Sequence, residues 1–155
     1  MTLEVIRRGE GRPGRPPLLF VHGAFAGAWI WDEHFLPFFA EAGWECVALS
    51  LRGHGKSSGH DRLDHFGLHH YVEDVAAIAA GLERPPLVVG HSLGGAVAQR
   101  FVSGHPAAGQ VLIAASPPQG FSGPAWWMAL HRPGFLWQLG LLETLGKRYV
   151  DPEVL

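Results

Sequence analysis

Leu87-Val88-Val89-Gly90-His91-Ser92-Leu93-Gly94-Gly95-Ala96-Val97-Ala98 is the stretch on which the reading of this chain turns. A short β-branched run leads into Gly-x-Ser-x-Gly. Apolar positions at helical spacing then continue to Ser103, where Gly104 and Pro106 stop them. Strand, tight turn and helix in that order is the context in which such a motif presents a nucleophilic serine. The serine has to occupy a strained bend with its hydroxyl above the sheet, so Gly90 and Gly94 must be small enough for strand and helix to approach. Ser92 is therefore the candidate catalytic residue, and Gly90, His91 and Gly94 shape its turn. The helix also presents its N-terminal amides to any negative charge forming there. A plain glycine-rich strand-to-helix turn is the competing reading; the flanking strand and helix favour the nucleophile.

Upstream, Leu18-Leu19-Phe20-Val21-His22-Gly23-Ala24-Phe25 is a second apolar run, ending in His-Gly. A sharp turn after it would aim a backbone N–H at the carboxyl edge of the sheet, where ligands of open α/β sheets bind. The Ala24 amide, paired with that of Leu93, would then form an oxyanion hole for acyl transfer, with roughly 3 kcal/mol expected per donor. His22, Gly23 and Phe25 shape that loop. His22 could brace it or act as a base, and its place before the turn favours bracing.

Further runs at Leu3–Ile6, Cys46–Leu49 and Val111–Ala114 alternate with helical stretches. One helix is expected over Trp31–Ala42, ended by Gly43. A second carries Val72, Val75, Ile78, Ala79 and Leu82 on one face and ends before Pro85. This alternation predicts an α/β fold, a mostly parallel sheet with helices on both faces. Gly9 to Pro17 has the composition of a surface turn. After Ala115 the texture changes to Ser116-Pro117-Pro118 and then to Trp126, Trp127, Met128, Phe135, Leu136 and Trp137. Residues 1–117 are therefore expected to form the sheet core and residues 118–155 to begin a helical cap or lid. Its aromatic residues either line an acyl pocket or rest on the core.

The chain resembles the α/β-hydrolase superfamily, in its esterase, lipase and peroxidase-like branch. The resemblance rests on His22-Gly23-Ala24, Leu51-Arg52-Gly53-His54-Gly55-Lys56-Ser57 and Gly90-His91-Ser92-Leu93-Gly94-Gly95, and covers about Leu18 to Ala115. Gly23 to Trp31 is also similar to the plant-type methylesterases and hydroxynitrile lyases. Arg52-Gly53-His54-Gly55 departs from them toward the commoner bacterial form. The resemblance implies a serine hydrolase acting on small-molecule carboxylic esters through an acyl-enzyme on Ser92, with the amides of Ala24 and Leu93 as oxyanion hole. Cofactor-free haloperoxidase or lyase chemistry on the same turn is its alternative.

In that family the catalytic acid and then the histidine follow the serine. Here no Asp or Glu lies between Leu93 and Leu142, and His105 and His131 both precede Glu143, Asp151 and Glu153. The chain is thus expected to stop within the cap. It is then either an incomplete enzyme or a non-catalytic fragment or subunit needing a second polypeptide, with Val111–Ala114 as an uncovered edge strand open to self-association or a complementing chain.

Other chemistries find less support. His65 and His69 have the i, i+4 spacing of metal ligands, but His65-Phe66-Gly67 argues for a loop, so no metal is expected. Gly55-Lys56-Ser57 lacks the first glycine of a phosphate loop and Gly53-His54-Gly55 lacks the third of a dinucleotide fingerprint, so no cofactor is expected. Twelve basic against fourteen acidic residues, with no basic block, argue against nucleic acid. Pro124, His131, Arg132, Pro133 and Gly134 interrupt the most apolar stretch, which argues against a membrane span. A single apolar-flanked Cys46 and no signal-like start suggest the cytoplasm.

Overall fold

The computed structural model describes residues 1–117, together with 120, 126, 127, 130–135, 137 and 138. Five strands form one sheet: β1 (Val5–Arg8), β2 (Leu18–Val21), β3 (Cys46–Leu49), β4 (Leu87–His91) and β5 (Gly109–Ile113), in spatial order β1-β3-β2-β4-β5. All neighbouring pairs are parallel except β1 with β3. Among the described residues up to 117, α1 (Trp29–Asp32), α2 (Phe35–Glu41), α3 (Leu68–Ala79) and α4 (Leu93–Val102) accompany it. The chain is thus α/β with a mostly parallel sheet. Its coordinates fall into two compact units, Met1–Pro118 and Gln119–Leu155.

β2 and β3 read as unbroken apolar runs because parallel strands are covered on both faces. Alternation then sorts their side chains. Leu19, Val21, Val47 and Leu49 pack with Val75, Val97 and Phe101 of α3 and α4, whereas Leu18, Phe20, Cys46 and Ala48 pack with Trp31 and Leu36 of α1 and α2. Each fully buried Leu or Phe contributes roughly 1.5–3 kcal/mol of transfer free energy.

Several elements differ from expectation: β5 runs Gly109–Ile113, not Val111–Ala114, and α3 ends at Ala79, short of Leu82. The helix foreseen over Trp31–Ala42 is two helices, broken at Glu33–His34, where His34 leaves the helical region. Pro37 explains the break, since its ring would strike the carbonyl four residues back, that of Glu33. The first strand runs Val5–Arg8, two residues later than its apolar pattern suggests. Its antiparallel register against β3 decides its limits, and Arg7 and Arg8, exposed on the sheet edge, pair with Glu45 and Asp32.

This topology places a site. β2 lies between β3 and β4, and the chain crosses from one side of β2 to the other between β3 and β4. The crevice beyond the carboxyl ends of β2 and β4 is therefore a topological switch point, where open α/β sheets bind ligands. β5 forms the opposite edge from β1, with Val111 and Leu112 exposed.

Candidate active site

β4 ends at His91 and α4 begins at Leu93, leaving Ser92 alone at the turn with φ 51° and ψ −116°. That conformation is strained for any residue with a β-carbon and costs of order 1–3 kcal/mol. Three glycines make it possible. A β-carbon on Gly90 would fall on the Gly94 carbonyl, one on Gly94 would meet the carbonyls of Val21 and His22, and one on Gly95 would meet Ala115. Strand, turn and helix start are thus in backbone contact, and Ser92 projects half-buried from the bend. Its carbonyl accepts from the amides of Gly95 and Ser116, and its own amide donates to Ile113 at 3.0 Å.

Beside it, the residues after β2 fold back so closely that a β-carbon on Gly23 would lie 3.0 Å from Ser92 Cβ and 3.1 Å from His91 Nδ1. His22 is fully buried. The Leu51 amide donates to its Nε2 at 2.9 Å, so the neutral ring carries its proton on Nδ1, which donates to the Gly23 carbonyl at 2.6 Å. Burial pushes His22 down to about 4, so the ring is neutral near pH 7. Both nitrogens are engaged with backbone, and neither is left to take a proton from Ser92. Because a trans peptide sets its C=O and N–H on opposite sides, holding the Gly23 carbonyl toward His22 turns the Ala24 N–H away from it. No described residue accepts from the amide of Ala24 or of Leu93, and both residues line one cavity of about 450 Å³. Phe25, with φ 61° and 97% exposed, stands at the rim of that cavity.

The turn Ser50–Ser58 underlies this arrangement. Ser50 Oγ accepts from the Ala28 amide at 2.8 Å and donates to Glu4 Oε2 at 2.6 Å, while the Lys56 amide donates to the same carboxylate oxygen at 2.8 Å. Burial alone would raise the Glu4 carboxyl, but these donors hold it below its ordinary value. Asp74, buried on α3, accepts from the Arg52 amide at 2.9 Å and from its guanidinium at 2.6 Å. That bond is the main cause that raises the Arg52 pKa. Leu51, held between these anchors, is the residue that donates to His22. None of Glu4, Ser50, Arg52 or Asp74 stands out as a site residue in the sequence, because Glu4 lies 46 positions from Ser50 and Asp74 lies 22 from Arg52.

His105 is remote from Ser92, since α4 has ten residues and spans about 15 Å between them. It bonds the Phe101 carbonyl and stacks on that ring. His131 bonds the Trp127 carbonyl four residues earlier. Glu143, Asp151 and Glu153 lie outside the described residues. His65 closes a 3₁₀ turn (His60–His65) and His69 is the second residue of α3, with extended Phe66 and Gly67 before the helix, so the pair does not share a helix. Among the described residues no three His, Cys, Asp or Glu side chains cluster as metal ligands, and no helix is long and apolar enough to cross a membrane.

Residues 18–154 match the model of the alpha/beta hydrolase family. The chain belongs to that family. A non-heme haloperoxidase of Rhodococcus erythropolis is 39% identical over 118 residues, covering 71% of this chain and 39% of the relative. A bifunctional esterase/perhydrolase of Acinetobacter calcoaceticus is 36% identical over 124 residues, covering 75% and 42%. Among solved structures, a thioesterase domain from the curacin biosynthetic pathway superposes with a TM-score of 0.64 at 25% identity, covering 82% of this chain and 47% of that one. The chain thus spans about two fifths of the length of the curated relatives it matches. Hydrolases and haloperoxidases alike occur among these alpha/beta hydrolase relatives.

Proposed function

We propose that this chain carries the nucleophile and oxyanion hole of a serine hydrolase acting on carboxylic esters. The observation that supports this most is the juxtaposition at the switch point: a strained, half-buried Ser92 against Gly23, with two unclaimed amides lining the adjoining cavity. Ser92 Oγ attacks the ester carbonyl carbon and its proton passes to a general base. The carbonyl oxygen becomes an oxyanion held by the N–H groups of Ala24 and Leu93. Collapse breaks the carbon–alkoxy bond, the alcohol leaves with the proton, and water later releases the acid from Ser92. No cofactor takes part in these steps.

The base comes from residues outside the described ones, residues 118–155 beginning a helical cap, or from a second polypeptide. The apolar β5 edge, with Val111 and Leu112 exposed, supports pairing with another chain as the second case. Such an enzyme would work in the cytoplasm, where Cys46, fully buried and pushed up to about 11 by that burial, stays a thiol. The haloperoxidase and perhydrolase relatives favour a variant in which hydrogen peroxide replaces water at the acyl-enzyme.

Incubation with a fluorophosphonate followed by peptide mapping tests the assignment. A single adduct on Ser92, lost in Ser92→Ala, is the expected result. Labelling elsewhere, or none in a chain supplied with a histidine base, would overturn it.

A further inference from the structure

We infer that the cavity beside Ser92 has a polar floor, His54 with Tyr71, that selects ligands bearing a hydroxyl group. The inference rests on the proposed function for what is done to such a ligand, though not for its binding. Phe25, Trp29, Leu63 and Leu93 give the cavity largely apolar walls, with the exposed His60 among them. Its floor is different. His54 and Tyr71 line it and are each more than nine-tenths buried, at 9% and 6% exposure, with their rings edge to face at 5.9 Å.

His54 Nδ1 lies 3.1 Å from the Arg52 carbonyl. A carbonyl only accepts, so Nδ1 carries a proton, and in that tautomer Nε2 is an acceptor. No described residue donates to it. The Tyr71 hydroxyl likewise has no hydrogen-bond partner among the described residues. Two such groups in the lining of a largely apolar cavity stay satisfied while water fills it, and they are stranded when an apolar ligand displaces that water.

Ligand chemistry can be sorted against this pair. An alkyl or unsubstituted aryl group leaves both atoms unpaired. A carboxylate finds donors in Tyr71 and in the Ala24 and Leu93 amides of the same cavity, but it leaves His54 Nε2, an acceptor, unpaired. An ammonium could donate to Nε2 but would be buried without a counter-charge, since Asp74 is engaged by Arg52. A hydroxyl fits both, because it donates to Nε2 and accepts from Tyr71. The class selected is thus an ester whose cavity-bound part, alkyl or aryl, carries a hydroxyl. A site built to bond a hydroxyl rejects the analogue without it far more strongly than an apolar pocket rejects a missing methylene.

Isothermal titration calorimetry with paired ligands tests this without turnover: 4-hydroxyphenylacetamide against phenylacetamide, and 6-hydroxyhexanamide against hexanamide. The hydroxylated member of at least one pair should bind tenfold or more tightly, and Tyr71→Phe, which removes one oxygen atom, should cut that preference at least threefold. His54→Phe should cut it further. Should that variant fail to fold, the ¹⁵N resonance of Nε2 in the unaltered chain takes its place, moving with the hydroxylated ligand and not with its partner. Equal affinity within both pairs, no binding of any ligand at millimolar concentration, or a preference unchanged in Tyr71→Phe would overturn the inference. Ser92→Ala should keep the preference. Preference without fluorophosphonate labelling defeats the hydrolase reading alone, and labelling without preference defeats this one alone.

Discussion

Two turns meet at the carboxyl edge of the sheet, and they hold their shapes by opposite means. The turn after β4 is set by exclusion: Gly90, Gly94 and Gly95 bring backbone against backbone, and the Ser92 side chain makes no capping bond. The turn after β3 is set by attachment: Ser50, Arg52, Lys56 and Ser57 are tied to Glu4 and Asp74 by side-chain bonds. A residue held by exclusion keeps its hydroxyl free for chemistry. One held by attachment has given its polar groups to the fold, and serves the site only through what it carries. Here that is the Leu51 amide on His22, and through His22 the direction of the Ala24 amide.

The attached turn should break most severely. Asp74→Ala leaves the part-buried Arg52 amide without its acceptor and the mostly buried guanidinium with only the exposed Glu73 carboxylate, 3.2 Å away, and the two losses together cost about 4 kcal/mol. Urea unfolding at pH 7 checks this. The variant should also label more slowly at Ser92, because Leu51 and His22 lose their footing. A stability within 1 kcal/mol of the parent, a difference on the order of surface substitutions, would show that the turn does not depend on this pair. The excluded turn should follow closely. Gly94→Ala sets a methyl against the carbonyls of Val21 and His22, neither of which can yield without moving β2, and overpacking of that kind costs about 3 kcal/mol.

The same contrast explains what could be read from residues alone. Exclusion is written locally: Gly-x-Ser-x-Gly between a β-branched run and a helix pattern announces its geometry within five positions, as does His22-Gly23 at the end of an apolar run. β4 runs into α4 through Ser92 alone, and a β-carbon on Gly23 would lie 3.0 Å from Ser92 Cβ, a closeness that the proposed oxyanion hole would use. Attachment is written across the chain. Nothing near Glu4 announces Ser50, and Asp74 sits among Glu73 and Val75 as an ordinary polar helix position, yet it is buried. His54 reads as one of several solvated or bonding histidines in a tight turn, and only the packing of α3 reveals that it shares a cavity floor with Tyr71. The break before Pro37 is a local effect of its ring that the single helix expected over Trp31–Ala42 did not include, whereas the limits of β1 belong to its register with β3.

Acid should separate the two turns as well. His22 is neutral in the fold, with its pKa lowered from 6.5 to about 4, so the unfolded chain binds a proton there before the folded chain does. Its contribution is present in full above pH 6.5 and is lost as the pH falls toward 4. From pH 6.5 to 5 this one residue removes roughly 2 kcal/mol. Urea midpoints across that range should therefore fall more steeply in the parent chain than in His22→Asn, which has no such proton to gain. Parallel pH profiles would detach His22 from the acid response.

The smallest effect has the most to say about the turn after β4. Ser92→Gly removes the hydroxyl and with it all labelling, while relieving a backbone conformation that only glycine adopts without strain. The unfolded chain gains freedom from the added glycine, which offsets part of the relief, so a net stabilisation of about 1 kcal/mol is expected. Ser92→Ala keeps the β-carbon and should gain none of it. A stability difference between these two inactive variants measures the strain held at Ser92 itself, apart from any contact its oxygen makes. If glycine proves no more stable than alanine, the glycines around the bend carry its geometry without strain, and exclusion alone, with no stored energy, accounts for the exposed hydroxyl.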